Sequence, residues 1–133
     1  MSHRSRLSDG IFHQLTMGEF RALLASVAPR RTIDAIHLHH TRVPRREQFQ
    51  GVSSIVGMWK HHSTKERWSD IAQHLTIDPH GSIWTGRHWD FPPASARGHN
   101  GSARSGPLMI AMVGNFDRGA DELGDPQRKA VLT

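Results

Sequence analysis

The chain of 133 residues is the size of one domain around one core. Hydrophobic residues make up 36% and charged residues 22%, with no apolar run near the roughly 20 residues of a membrane helix. A net charge of +5 favours an anionic partner or only solubility, but the basic residues are scattered and form no long stripe, so neither nucleic acid nor a membrane is the expected partner.

Met1-Ser2-His3-Arg4 has the charge of an export signal, yet Leu7, Ser8, Asp9 and Gly10 follow where an apolar region would be needed. Leu15 to Val27 is predicted helical: Phe20, Leu23, Leu24 and Val27 recur at helical spacing, Thr16 with Glu19 fits a capping box, and Pro29 stops the run. Thr32 to Thr41 alternates and reads as a central strand, with His37 and His39 on one face and Ile36, Leu38 and His40 on the other. Beyond Pro44, Phe49, Val52, Ile55, Val56 and Trp59 line one face of a second helix reaching about His62. His74 to Ile77 and Ser82 to Thr85 form a hairpin about the turn Asp78-Pro79-His80-Gly81. Phe91 to Gly106 is a long surface loop, and Leu108 to Phe116 a further strand. Asp125 caps and Pro126 opens a last helix with Ala130, Val131 and Leu132 as its first apolar residues. So short a helix, well below the roughly 12 to 15 residues at which isolated helices become marginal, reads as the start of a longer one cut short.

Without cysteine, any metal must be held by imidazole, carboxylate or water, which draws attention to the 11 histidines. His37 and His39 leave one face of a strand about 6.5 to 7 Å apart at the backbone, a common start to a metal site. The same pair is also compatible with one histidine lining a groove and another packed in the core. Asp70 is placed to orient a histidine or to form a turn. Gly86-Arg87-His88-Trp89 sets a guanidinium beside an aromatic ring, suited to a carboxylate or sugar ligand or to a surface cation–π pair. Gly98-His99-Asn100-Gly101 is a polar loop tip of the kind that presents functional side chains.

Five segments in register carry a resemblance: Ile36-His37-Leu38-His39-His40-Thr41, Trp68 to Leu75, Asp78 to Trp89, Gly98-His99-Asn100, and Met112-Val113-Gly114-Asn115-Phe116. In this order the sequence resembles the N-acetylmuramoyl-L-alanine amidase and peptidoglycan recognition protein family. The resemblance implies an α/β (α+β) fold, a mixed central sheet flanked by helices, with residues 1–31 as a helical extension and residues 32–133 as an amidase-like core. It implies a groove for peptidoglycan or a muropeptide, with His39 as a zinc ligand, His37 a possible substitute ligand, and Arg87, His99 and Asn100 in contact with substrate. The family's other metal ligands come from a segment beyond the final helix, so zinc is expected to be weak or absent on this chain. Gln73 stands where family amidases often carry a catalytic tyrosine, and glutamine cannot act as a general base. Two functions follow: zinc-dependent cleavage of the N-acetylmuramoyl-L-alanine bond in the complete protein, or binding of wall fragments without hydrolysis.

Overall fold

The computed structural model describes residues 12–66, 68, 70–95, 99–117 and 120–132. In chain order the elements are β1 (Gln14–Leu15), α1 (Met17–Ser26), β2 (Thr32–His40), α2 (Val52–Thr64), β3 (Leu75–Ile77), β4 (Ile83–Thr85), β5 (Ser105–Met112) and α3 (Asp125–Leu132). The strands form one mixed sheet in the order β1-β4-β3-β5-β2, in which β5 lies parallel to both neighbours and β4 antiparallel to both of its own. The expected α+β architecture is therefore present.

The longest interior strand is β5, next to the edge strand β2 and buried without interruption from Gly106 to Ala111, as parallel strands covered on both faces are. Its alternate side chains divide the interior. Leu108 and Ile110 join Leu75, Ile77 and Ile83 beneath Phe20 of α1 and Ala130 of α3, while Met109 and Ala111 face the side occupied by α2. On that side Ile55 and Met58 pack with Phe12, Ile71 and Trp84. Successive residues Ile83 and Trp84 of β4 thus serve opposite clusters, the two-residue period of a strand.

Thr32 to His40 is a strand as expected, but it lies at the edge of the sheet and not at its centre. Apolar residues on the Ile36 and Leu38 face suggested cover on both sides, yet these side chains are 64% and 50% exposed. A residue alternation fixes which face a side chain takes, not how many strands flank it. A second difference lies upstream, where Leu15 belongs to β1 and pairs with Ile83, and α1 begins only after Thr16. The capping box is present: Glu19 N donates to Thr16 Oγ1 and Thr16 N to Glu19 Oε1. The helix assigned from Phe49 begins at Val52, and β5 ends at Met112 rather than running on to Phe116.

The hairpin turn is organised by one buried carboxylate. Asp78 Oδ1 accepts from the backbone N–H groups of His80 and Ser82, and Oδ2 accepts from Trp84 Nε1 at 2.9 Å. Gly81 adopts φ 86°, and a Cβ there would lie 2.6 Å from the Pro126 carbonyl oxygen, so the turn and the start of α3 require glycine. The short α3 is held by tertiary contacts. The Gln127 amide donates to the carbonyls of Ile77 and Val113, just where β3 and β5 end.

Replacing Asp78 with Ala strands three donors, one of them the buried indole N–H. Urea denaturation should show a loss of about 2 to 4 kcal/mol; a loss below about 0.5 kcal/mol would show that the turn does not depend on this carboxylate.

Candidate functional site

The parallel pairing of β2 with β5 sets His37 opposite Met109 and His39 opposite Ala111. Both histidine rings leave the sheet on the α2 side, 6.4 Å apart between centroids. Between that sheet face and α2 runs a groove of about 750 Å³. Met109, Ala111, Ala72 and Gln73 lie along its floor, Gly57, Met58, His61 and His62 along the helical wall, and His39 with Thr41 to Pro44 along the opposite wall.

The second wall is irregular backbone that side chains hold in place. Thr41 Oγ1 donates to the Pro44 carbonyl and accepts from Gly114 N, while Arg42 N donates to the Gly114 carbonyl. His40 also borders the groove, with its ring engaged by a neighbouring loop: its Nδ1 accepts from Phe116 N, and the ring stacks on Phe116 at 6.2 Å. Asp121 accepts from the backbone N–H groups of Asn115 and Arg46 and from the Arg45 guanidinium. Those bonds, backbone ones foremost, hold its carboxyl below the usual carboxylate range.

Gln73 lies on the groove floor, 3% exposed, with Nε2 donating to Thr76 Oγ1 at 2.9 Å. His62 was not singled out in the sequence, yet it shapes the same site. Its Nδ1 accepts from Ala72 N at 3.0 Å and its ring lies 5.1 Å from that of Trp68. Burial, reinforced by neighbouring His61 and Arg87, pushes its pKa down to about 4. The pair His61-His62 lies in the last turn of α2 and lines the same groove as His39, a proximity that no local pattern announces. Asn100 reaches the rim indirectly, its Oδ1 accepting from the hydroxyl of the groove residue Ser95. His99 is exposed and does not line the groove. Gly98 and Ser69, parts of two of the matched segments, lie outside the described residues.

Arg87 is not brought into this groove. It is 6% exposed, and its guanidinium donates to the carbonyls of Ile71, Pro92 and Asp70. Burial lowers its pKa, opposed by Asp70. It borders a smaller hollow instead, of about 230 Å³, with Leu23, Val27 and Trp89. His74 is likewise interior: Nδ1 accepts from Met109 N, Nε2 donates to the Phe91 carbonyl, and burial pushes its pKa down to about 4. As for a metal, the described residues contain no group of three or more His, Asp or Glu placed to hold one. His39 and His37 offer two imidazoles, short of the three protein ligands of a catalytic zinc site.

A mixed five-stranded sheet flanked by helices, in an arrangement shared with solved peptidoglycan recognition proteins, defines a peptidoglycan recognition protein and amidase-like fold. Among solved structures, Drosophila peptidoglycan recognition protein (PGRP)-SA superposes with a TM-score of 0.61 at 23% identity, covering 80% of this chain and 58% of that one. Wild-type Drosophila PGRP-LB gives 0.63 at 20% identity, covering 84% and 67%. A PGRP-LB variant in complex with tracheal cytotoxin gives 0.63 at 20% identity, covering 84% and 68%. The chain thus spans about three-fifths to two-thirds of the length of these proteins, and at such identities the likeness is one of fold. No family model matches the chain, and no curated protein matches it.

The two low histidine pKa values carry a stability consequence. In the unfolded chain both imidazoles titrate near 6.5, whereas in the folded chain they stay neutral down to about 4. As pH falls below 6.5 the unfolded state takes up protons first, so stability is complete above that pH and is lost towards pH 4. For fully buried His74 alone the full loss is on the order of 3 kcal/mol. Thermal melts from pH 7 to pH 5 should show a falling midpoint, with a shallower fall in His62→Asn. A flat profile would place the protonated rings in the fold.

Proposed function

We propose that the groove takes a muropeptide, and that in the complete domain it presents the N-acetylmuramoyl-L-alanine amide for zinc-dependent cleavage. The observation that supports this most is the placement of His39 on a groove wall facing α2, within a fold shared with a protein solved in complex with tracheal cytotoxin. The groove is long, open and lined by aliphatic, imidazole and indole surface, features suited to an extended glycopeptide with few charges.

In this reading His39, with His37 beside it, would hold the metal. Bound zinc would supply a water of lowered pKa and polarise the scissile carbonyl. The remaining work falls to the chain's own groups. Trp68 and Met58 give the peptide an apolar bed, and the Ser95 and Asn100 pair offers hydrogen-bonding groups at one rim. Arg87 acts from beneath, by fixing the carbonyls of residues 70 and 71 just before the groove floor. Gln73 cannot remove a proton, and its amide N–H is engaged with Thr76. That engagement favours the second reading, a module that binds wall fragments without hydrolysis.

Three measurements decide. After dialysis, metal analysis of this chain should find well under one zinc per chain; an equimolar amount would overturn the claim of an incomplete ligand set. Sedimentation with purified peptidoglycan should retain the chain in the pellet, and failure to bind would overturn the muropeptide reading itself. Release of stem peptide that vanishes in His39→Ala would establish cleavage, whereas retention without release decides for the binding module.

A further inference from the structure

Among the described residues lining the groove, Arg42 alone carries a permanent charge, and no Asp or Glu lines it. The residue stands at the rim, exposed, directly after the wall residues His39 to Thr41. Its backbone adopts φ 66°, the left-handed region that non-glycine residues rarely enter, and its N–H is fixed to the Gly114 carbonyl. Such a conformation is sterically disfavoured for a residue with a Cβ, and residues that hold one cluster at ligand clamps. The side chain gives little back to the fold. Among the described residues its one ion pair, Nη2 to Asp117 Oδ2 at 3.3 Å, joins side chains that are 69% and 54% exposed, a weak surface pair. Asp117 itself does not line the groove.

A strained backbone that places a solvent-facing guanidinium on an otherwise uncharged groove is costly for stability and useful for anchoring an anion. We infer that Arg42 is a specificity-determining residue that receives a carboxylate of the bound peptide, with Asp117 as an internal competitor that occupies the fork when the groove is empty. The inference rests on the reading that the groove takes a muropeptide, whose stem peptide necessarily ends in a carboxylate. The planar fork suits bidentate capture of that group, and ligand arrival exchanges one exposed ion pair for another in partly desolvated surroundings.

The test is calorimetric binding of a soluble muropeptide and of the same compound with its peptide carboxylates converted to carboxamides. The parent chain should prefer the acid form by about tenfold, a preference lost in Arg42→Gln and partly kept in Arg42→Lys. Asp117→Asn, which removes the competitor, should tighten the acid form by about two- to threefold. Arg42→Gly separates function from folding: it relieves the strained φ, so the melting temperature should hold or rise while the acid preference disappears. Equal binding of both compounds by the parent chain, or an unchanged preference in Arg42→Gln, overturns this inference and leaves the groove reading intact. Absence of any muropeptide binding by the parent chain overturns both.

Discussion

The architecture around the groove depends on how one irregular buried segment satisfies its backbone. Residues 70–74 enter the interior before β3 begins, and every one of them is buried. Their carbonyls have no ladder to join, and a buried carbonyl without a donor is costly. Arg87 answers this with a single side chain: its guanidinium reaches Asp70, Ile71 and Pro92, and its own backbone N–H reaches Gln73. Gly86 permits the approach, since a Cβ there would stand 2.5 Å from the Gln73 carbonyl oxygen. The groove floor and the loop after β4 are thereby fixed to each other. A residue that the sequence casts as a ligand contact is, in the fold, the support on which the floor rests.

Histidine plays a related part. The abundance of this residue directs attention to metals, yet four rings spend Nδ1 as acceptors for backbone N–H groups: His40 for Phe116, His62 for Ala72, His74 for Met109 and His88 for Asp90. In such a bond the lone pair of Nδ1 takes the place that a backbone carbonyl fills within the ladder. These bonds tie strand ends and loops to the sheet where the ladder stops. His37 and His39 differ because the strand carrying them turns their rings toward the groove rather than toward a loop. Counting histidines therefore overstates the chemistry, while asking which ones face open space isolates it.

Much of the fold was legible because its signals are local. Thr16 with Glu19 marked a helix start, Asp78 to Gly81 marked a turn, and the two hairpin strands follow from their spacing. What was not legible depends on partners far along the chain. β1 is two residues long and exists only because it pairs with β4, so no periodicity could reveal it. The edge position of β2 follows from its pairing with β5, about 70 residues later, which has β3 on its other side. Among the residues that line the groove, His39 stood out in the sequence by its strand and motif, but His61 and His62 did not, because only tertiary packing brings the end of α2 across from β2.

The edge position also bears on what the groove can do. A strand flanked on both sides would hold His37 and His39 in a floor, reached only from above. At the edge, the same residues stand at a margin where Thr41 to Pro44 leave the sheet and the backbone is free to adopt the unusual geometry of Arg42. The floor is made rigid by buried polar anchoring at Arg87, His74 and Gln73, whereas the wall opposite α2 is held by Thr41, Asp121 and exposed ion pairs. Stability is expected to be uneven in the same sense, greatest where polar groups are buried and satisfied and least along exposed backbone. The groove therefore joins a side fixed by buried polar bonds to a side held by more exposed ones, and Arg42 stands on the second.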